Sequence, residues 1–257
     1  MTNKHEPRAR TETLYGIHTV KEAIGSRPIE YVVVAEGHHG PRVEEVIHLC
    51  RTRGISLRFA PRHALDRMAE NSHHQNVAAV CSAKNYDDLE ALTEAAGPPL
   101  LIALDEVEDP ANLGAVLRTA VAAGAHGAII PERRAAGLSA TVARAASGAL
   151  EHLKVARVTN LTRALIELKK KNMWIYGFEA NAPKSYLELD YAGPCALVLG
   201  GEGHGLRRLV RETCDALAGI PLLGPVESLN VSVAAAIVLY EAARQRQLTR
   251  RPPANQE

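Results

Sequence analysis

The sequence has few aromatic residues, few cysteines and no long apolar run, and each shortage excludes a class of protein. Phe, Trp and Tyr make up 4% of the 257 residues, so an extended base-stacking platform like those of single-strand binders is not expected. No apolar run reaches about 18 residues, so we expect no membrane-spanning helix. The four cysteines lack a CxxC spacing, which predicts reduced core thiols and no metal site. They are Cys50, Cys81, Cys195 and Cys214.

The polar N-terminus also lacks the apolar segment of a secretory signal, so we expect a cytoplasmic protein. Two histidine pairs, His38-His39 and His73-His74, have no metal-ligand spacing with a Cys, Asp or Glu set. We therefore expect no metal at either pair. The loop that contains His73 and His74 could instead contact RNA, and the sequence does not decide this.

The order of apolar segments predicts an α/β protein with two domains. Strand-like and helix-like segments alternate in both halves of the chain, and this alternation is typical of a mostly parallel sheet with helices on both faces. The expected division is a disordered tail (1–13), a small α/β domain (14–84), a linker (85–98) with a helix over Asp87–Ala96, a larger α/β domain (99–248) and a second disordered tail (249–257).

Three motifs in the larger domain place polar residues and glycines where a strand-like run meets a helix. In open α/β sheets ligands bind outside the strand ends, so three such junctions suggest one composite site. The motifs are LDEVEDPANLGAVLRTAVAAG (Leu104–Gly124), LVLGGEGHGL (Leu197–Leu206) and IPLLGPVESLNVSVAAA (Ile220–Ala236).

Each motif also has a purely structural interpretation. Asn112 stands where it could cap the helix that follows, and Ser228 or Asn230 could cap the last helix. Arg118 lies off the apolar stripe of its helix and could simply be solvated. GGEGHG is not a dinucleotide fingerprint, because Leu206 stands where the third glycine would be.

The sequences of the motifs and their order along the chain resemble those of the SpoU family of RNA 2′-O-ribose methyltransferases, within the SPOUT class. The resemblance runs from about Leu14 to Arg246 and looks closest to the branch that methylates a guanosine of large-subunit ribosomal RNA. It implies S-adenosylmethionine as the cofactor, a ribosomal-protein-like RNA-binding domain before the catalytic SPOUT domain, and a C-terminal trefoil knot. It also implies a site residue set: Asn112, Arg118, Glu202, Ser228 and Asn230 as catalytic or polar site residues, and Gly200, Gly201, Ile220 and Leu229 as cofactor contacts.

Alternative functions remain open at this point. A transfer RNA could be the substrate, or the chain could be a non-catalytic RNA-binding or ribosome-assembly protein. A net charge of +1 argues against nucleic acid. Three arginine clusters flank the expected site, and each could be a solvated face or part of an RNA-binding surface. These clusters are Arg51, Arg53, Arg58, Arg62 and Arg67; Arg133, Arg134 and Arg144; and Arg207, Arg208 and Arg211.

The last helix predicts a homodimer. From Val231 to Ala243 only Ser232 and Glu241 are plainly polar, and a helix that is apolar on every face must be buried on every face. The sheet of its own domain can cover one side, so a second subunit would cover the other. The alternative is a helix wholly inside the core of one chain.

Overall fold

Two separate sheets organise the chain in a computed structural model, which describes residues 11–37, 39–70 and 72–250. The first unit comprises the described residues up to Asn85 together with Leu138–Glu151. The second comprises Tyr86–Gly137 and the described residues from His152 onward. The α/β class and the parallel sheet of the larger domain are confirmed.

The first unit is a four-stranded mixed sheet in the order β1-β4-β2-β3. Strands β1 and β2 both pair antiparallel with β4, and the outer strand β3 pairs parallel with β2. Its elements are β1 (Thr11–Tyr15), α1 (Ile17–Ser26), β2 (Ile29–Ala35), α2 (Pro41–Thr52), β3 (Leu57–Ala60), α3 (Arg62–Ala69) and β4 (Val77–Ser82).

The segment Leu138–Glu151 extends this first unit although it lies far along the sequence. Its helix, α5 (Ala140–Ala145), packs against β1. The Glu151 carboxylate accepts a hydrogen bond from Arg27 Nε at 2.8 Å, and both side chains are buried. Burial alone would raise the pKa of Glu151, but the hydrogen bond and charge of Arg27 outweigh burial and lower this pKa. The first unit is therefore built from two stretches of the chain.

The second unit is a seven-stranded sheet in the order β7-β6-β5-β10-β8-β11-β9, in which every pair is parallel. Parallel strands need crossover connections, and the helices supply most of them. The strands are β5 (Leu100–Asp105), β6 (Gly127–Pro131), β7 (Lys154–Val158), β8 (Trp174–Phe178), β9 (Lys184–Ser185), β10 (Cys195–Gly200) and β11 (Ala216–Gly219). The helices are α4 (Pro110–Ala122), α6 (Leu161–Lys170), α7 (Arg208–Thr213) and α8 (Val231–Arg250).

The central strands β5 and β10 are apolar almost throughout because helices cover both of their faces. All six residues of β5 are buried. Leu101 and Ala103 belong to the core cluster that includes α6 and α7. Successive residues of a strand point to opposite faces, so Ile102 and Leu104 face the other side, where α4 and α8 pack together.

Three local expectations are wrong. Strand β1 begins at Thr11, so residues 11–13 are not part of a tail. The predicted linker helix is only a short 3-10 turn, Glu90–Thr93, whose Leu92 is buried in the core of the second unit. Helix α8 continues to Arg250, and the rest of the two predicted tails lies outside the described residues.

Helix α8 is not wholly buried in a single chain. Val238 is completely buried in the single chain, whereas Val233 and Tyr240 are 47% and 55% exposed. These two residues are seven positions apart, which is about two turns, so they lie on one face. A charge at Val238 would therefore disturb the fold, and the exposed face is where a second subunit could pack.

The cysteines occur as buried or half-buried thiols without a disulfide bond among the described residues. Burial raises the pKa of Cys81 and of Cys214 to about 12, and that of Cys195 to about 11. The thiols therefore stay protonated and unreactive near neutral pH.

Within the described ranges no helix is both long and apolar enough to cross a membrane.

Candidate active site

The first and second motifs lie side by side because their strands are neighbours. Strands β5 and β10 pair in parallel with Asp105 opposite Gly200, the last residue of each strand. The loops that follow therefore leave the sheet at the same edge. The third motif follows β11 and leads into α8, which packs against both α4 and β10.

Three side chains, one from each motif, form a single hydrogen-bonded cluster. Asn112 Nδ2 donates to Glu202 Oε1 at 2.6 Å. Asn230 Nδ2 is 3.0 Å from both Glu202 Oε1 and Asn112 Oδ1, and it can donate to either. Both amides act on the same carboxylate oxygen, which fixes the orientation of Glu202. We refer to these residues as the Asn112–Glu202–Asn230 cluster.

The helix caps explain how the two asparagines reach this cluster. Asp109, not Asn112, caps α4, because its carboxylate accepts hydrogen bonds from the N–H groups of Ala111 and Asn112. The suggestion that Asn112 is the cap is therefore wrong, and its side chain is available to Glu202. Asn230 does cap α8, through Ser232 N at 2.8 Å, while its amide nitrogen contacts the cluster.

The glycines of GGEGHG are required by the close approach of backbones. A Cβ atom on Gly200 would lie 2.1 Å from the carbonyl of Gly205, and one on Gly201 would lie 2.1 Å from the carbonyl oxygen of Glu106. Gly205 has a φ of +61°, a conformation that favours glycine. Leu206, which stands where a dinucleotide fingerprint would have its third glycine, is buried in the core and packs there.

The buried residue Asp105 holds both ends of this glycine loop. The Asp105 carbonyl accepts a hydrogen bond from Gly201 N at 2.7 Å, where the loop begins. The fully buried Asp105 carboxylate accepts from Arg207 N at 2.9 Å and is 2.6 Å from Arg207 Nη2, where the loop ends. One aspartate thus anchors the loop at two points and thereby positions Glu202. The motif spacing gave no indication of this pairing.

A cavity of about 1180 Å³ opens between the second and third motifs. All four of the predicted cofactor contacts line it, and so do Glu202, Ser228 and Asn230. The predicted residues that line it are Gly200, Gly201, Glu202, Ile220, Ser228, Leu229 and Asn230. Sequence reasoning missed a polar wall at the end of β8, where Arg211 Nε donates to Glu179 Oε2 at 2.9 Å. Glu179 directly follows the apolar strand β8, so the rule that ligands bind at strand ends could have identified it.

A smaller cavity of about 400 Å³ lies on the other side of Glu202, and Asn112 lines it. The two cavities share the wall formed by Gly201, Glu202, Gly205 and Val231. Glu202 is thus positioned between a large space and a small one. This arrangement suits a reaction in which one ligand donates a group to another.

Arg118 is the one predicted site residue that stands apart from both cavities among the described residues. It lies on the exposed face of α4, and within the described residues it lines neither cavity. It follows Asn112 by six positions, which places it about a third of a turn away around the helix axis.

One histidine of each pair makes a defined contact in the first unit. His74 is completely buried, and its Nε2 is 3.1 Å from Asp66 Oδ1. It therefore has a structural contact and is not an exposed RNA contact. His39 stacks against Phe59, and His38 lies outside the described residues.

Comparison with known proteins identifies two family matches that together span most of the chain. Residues 99–240 match the SpoU rRNA Methylase family, and residues 13–87 match the family described as RNA 2′-O ribose methyltransferase substrate binding.

Individual relatives agree with these matches. The chain is 46% identical to the 23S rRNA (guanosine-2′-O-)-methyltransferase RlmB of Xylella fastidiosa, over 93% of this chain and 98% of that protein. It is 44% identical to a putative tRNA/rRNA methyltransferase of Bacillus subtilis, over 90% and 94% of the two chains. A solved AdoMet-bound rRNA methyltransferase from Sinorhizobium meliloti is 28% identical, with a TM-score of 0.76 and coverage of 91% and 87%.

Proposed function

The chain belongs to the SpoU rRNA methylase family, and we propose that it transfers a methyl group from S-adenosylmethionine to the ribose 2′-hydroxyl of a guanosine in 23S ribosomal RNA. The observation that carries the proposal is the Asn112–Glu202–Asn230 cluster, in which one residue from each motif meets at the wall between two cavities. The relative from Xylella fastidiosa supports the choice of guanosine and of ribosomal RNA.

The residues of the large cavity fit S-adenosylmethionine. The cavity volume of about 1180 Å³ is larger than the roughly 300–1,000 Å³ of typical small-molecule sites. The cavity is therefore large enough for the cofactor. Ile220 and Leu229 offer apolar contacts, and the glycine loop offers backbone groups at close range. When bound, the cofactor supplies an electrophilic methyl group on a positively charged sulfur. Gly200, Gly201, Ile220 and Leu229 would hold it, and the Glu202 carboxylate would complement its charge.

The polar residues between the cavities would align the ribose. Asn112 and Asn230 hold Glu202 by its Oε1 atom, and Ser228 lines the same cavity. Alignment of a nucleophile can supply several kcal/mol of a barrier. Arg118, on the exposed face of α4, would bind the phosphate next to the target ribose and lower the pKa of the ribose hydroxyl.

We also infer a homodimer. Arg118 lies outside the cavities of one chain, and α8, which packs on the same α4, exposes Val233 and Tyr240. A second copy on this face would cover the apolar residues, as the sequence of α8 predicts. The trefoil knot and the division at residues 84 and 99 stay predictions.

Tyr240→Glu is expected to convert the dimer to monomer at micromolar concentration without unfolding the chain. A carboxylate placed inside an apolar interface is costly unless it is paired, whereas at the exposed Tyr240 position of one chain it remains solvated. Sedimentation velocity measures the oligomeric state, and Lys170→Glu, an exposed change on α6, serves as control. A wild-type chain that sediments as a monomer would contradict the inference.

The substrate is tested by incubating the full chain with methyl-labelled S-adenosylmethionine and unmodified RNA. We expect label in 23S ribosomal RNA and none in transfer RNA. Transfer RNA is the second candidate because the relative from Bacillus subtilis is named for both. Label in neither RNA would favour a non-catalytic RNA-binding protein. Action on ribosomal RNA and the reduced thiols together support a cytoplasmic location.

A further inference from the structure

The first unit exposes an aromatic ring pair at the end of its outer strand. Phe59, in β3, leaves 48% of its surface exposed. Its ring stacks on that of His39, with centroids 6.1 Å apart and planes inclined by 28°. His39 precedes α2 and Phe59 precedes α3, so the pair lies where β2 and β3 both end.

Phe59 lies on the outer strand β3, which has no buried residue. Its partner in the register is Val34 of β2, which is completely buried. The chain has only two phenylalanines and one tryptophan, so an exposed ring is not a surplus of aromatic residues. The low aromatic content argued against an extended stacking platform, but a pair of rings needs only two residues.

The segment around Phe59 is rich in arginine. Residues 57–69 contain Arg58, Arg62 and Arg67 but only one acidic residue, Asp66, which contacts His74. All three arginines are exposed, and the Arg58 guanidinium lies 3.6 Å from the centre of the Tyr31 ring. Two acidic residues adjoin the segment: Glu70 directly follows it, and the Glu36 N–H donates to Ala60 O at 2.9 Å. The positive balance of the segment complements a phosphate backbone.

We propose that Phe59 and His39 form a stacking subsite for one unpaired base of the RNA substrate, and that Arg62 binds a neighbouring phosphate. Sequence-specific RNA recognition uses unpaired bases that stack on aromatic side chains, and arginine supplies the charge for the backbone. This subsite rests on the proposed function, because it assumes that the first unit binds the RNA that the second unit methylates. It assigns the contact to named residues within the matched segment 13–87.

The test compares RNA binding by variants of the full chain, with an unmodified 23S ribosomal RNA transcript as the probe. Phe59→Leu keeps an apolar side chain against the sheet but removes the ring, and we expect it to weaken binding by about 5-fold or more. The dependence of affinity on salt should not change, since no charge is lost. Phe59→Trp should retain the affinity of the wild type. Arg62→Gln should instead reduce the salt slope by about one.

Trp174→Leu is the matched control, because Trp174 is 56% exposed in the second unit and its loss should leave RNA affinity unchanged. Thermal unfolding checks that each variant is folded, and His39→Ala removes the other ring if Phe59→Leu is unstable. Wild-type affinity in a folded Phe59→Leu variant, or equal losses in Phe59→Leu and Phe59→Trp, would overturn the subsite. Either result would leave methyl transfer by the wild type intact, so failure of the subsite is distinct from failure of the proposed function.

Discussion

Arg118→Ala is expected to abolish methyl transfer while leaving the affinity for S-adenosylmethionine nearly unchanged. Arg118 lines neither cavity within the described residues of one chain, so its removal does not alter the cofactor contacts. The loss should appear in single-turnover methyl transfer to unmodified 23S ribosomal RNA, and calorimetry should show the retained cofactor binding. Arg163→Ala, which changes another exposed arginine, on α6, should retain activity.

Arg118→Lys separates two roles for this side chain. A neutral arginine near pH 7 would cost about 8 kcal/mol, because its pKa lies about 6 units higher and each unit costs about 1.36 kcal/mol. We therefore favour a charged Arg118 that binds phosphate. Lysine keeps this charge but loses the two-pronged geometry, so part of the activity should survive with a flat pH profile.

A pH-dependent activity of the Arg118→Lys variant would instead support Arg118 as the base that takes the hydroxyl proton. The pKa of lysine is about 10.4, so its neutral form is easier to reach. Activity of the Arg118→Lys variant would then rise steeply as the pH approaches that value, unlike the activity of the wild type. Full wild-type activity in Arg118→Ala would remove Arg118 from the site altogether.

Gly201→Ala is expected to weaken cofactor binding strongly. The added Cβ would lie 2.1 Å from the Glu106 carbonyl oxygen, so the glycine loop would have to move away from β5. Overpacking of this kind costs about 1–3 kcal/mol of folding free energy. Because cofactor binding would have to return the displaced loop to its wild-type position against this cost, 3 kcal/mol corresponds to roughly a 100-fold loss of affinity. Calorimetry with S-adenosylmethionine measures this loss.

Gly193→Ala is the control for this change, because nothing lies within 4 Å of its added Cβ. It should bind the cofactor as the wild type does. If Gly201→Ala folds and also binds as tightly as the wild type, the glycine loop is not part of the cofactor site.

The sequence predicts the central sheet and the position of the site because these features depend on local patterns. Buried strands such as Cys195–Gly200 are apolar and short, and glycines with polar residues mark their ends. Very short strands escape prediction when pairing with a neighbour, and not composition, makes them strands. Strand β9 is an example, since it has only two residues.

The motifs do not predict contacts between residues that are far apart in the sequence. The Asp105–Arg207 pair joins residues 102 positions apart, and nothing in either motif indicates it. The ion pair of Arg27 with Glu151 likewise places Leu138–Glu151 in the first unit. A fragment of residues 99–248 would expose this segment, so cofactor binding should be measured on the full chain.

The most direct test of the proposed function is a map of 2′-O-methylated nucleotides in RNA from cells with and without the gene. We predict that one guanosine of 23S ribosomal RNA loses its methyl group without the gene. The wild-type gene should restore the methyl group, and the Arg118→Ala gene should not. An unchanged ribosomal RNA map, or loss of methylation confined to transfer RNA, would contradict the proposed function.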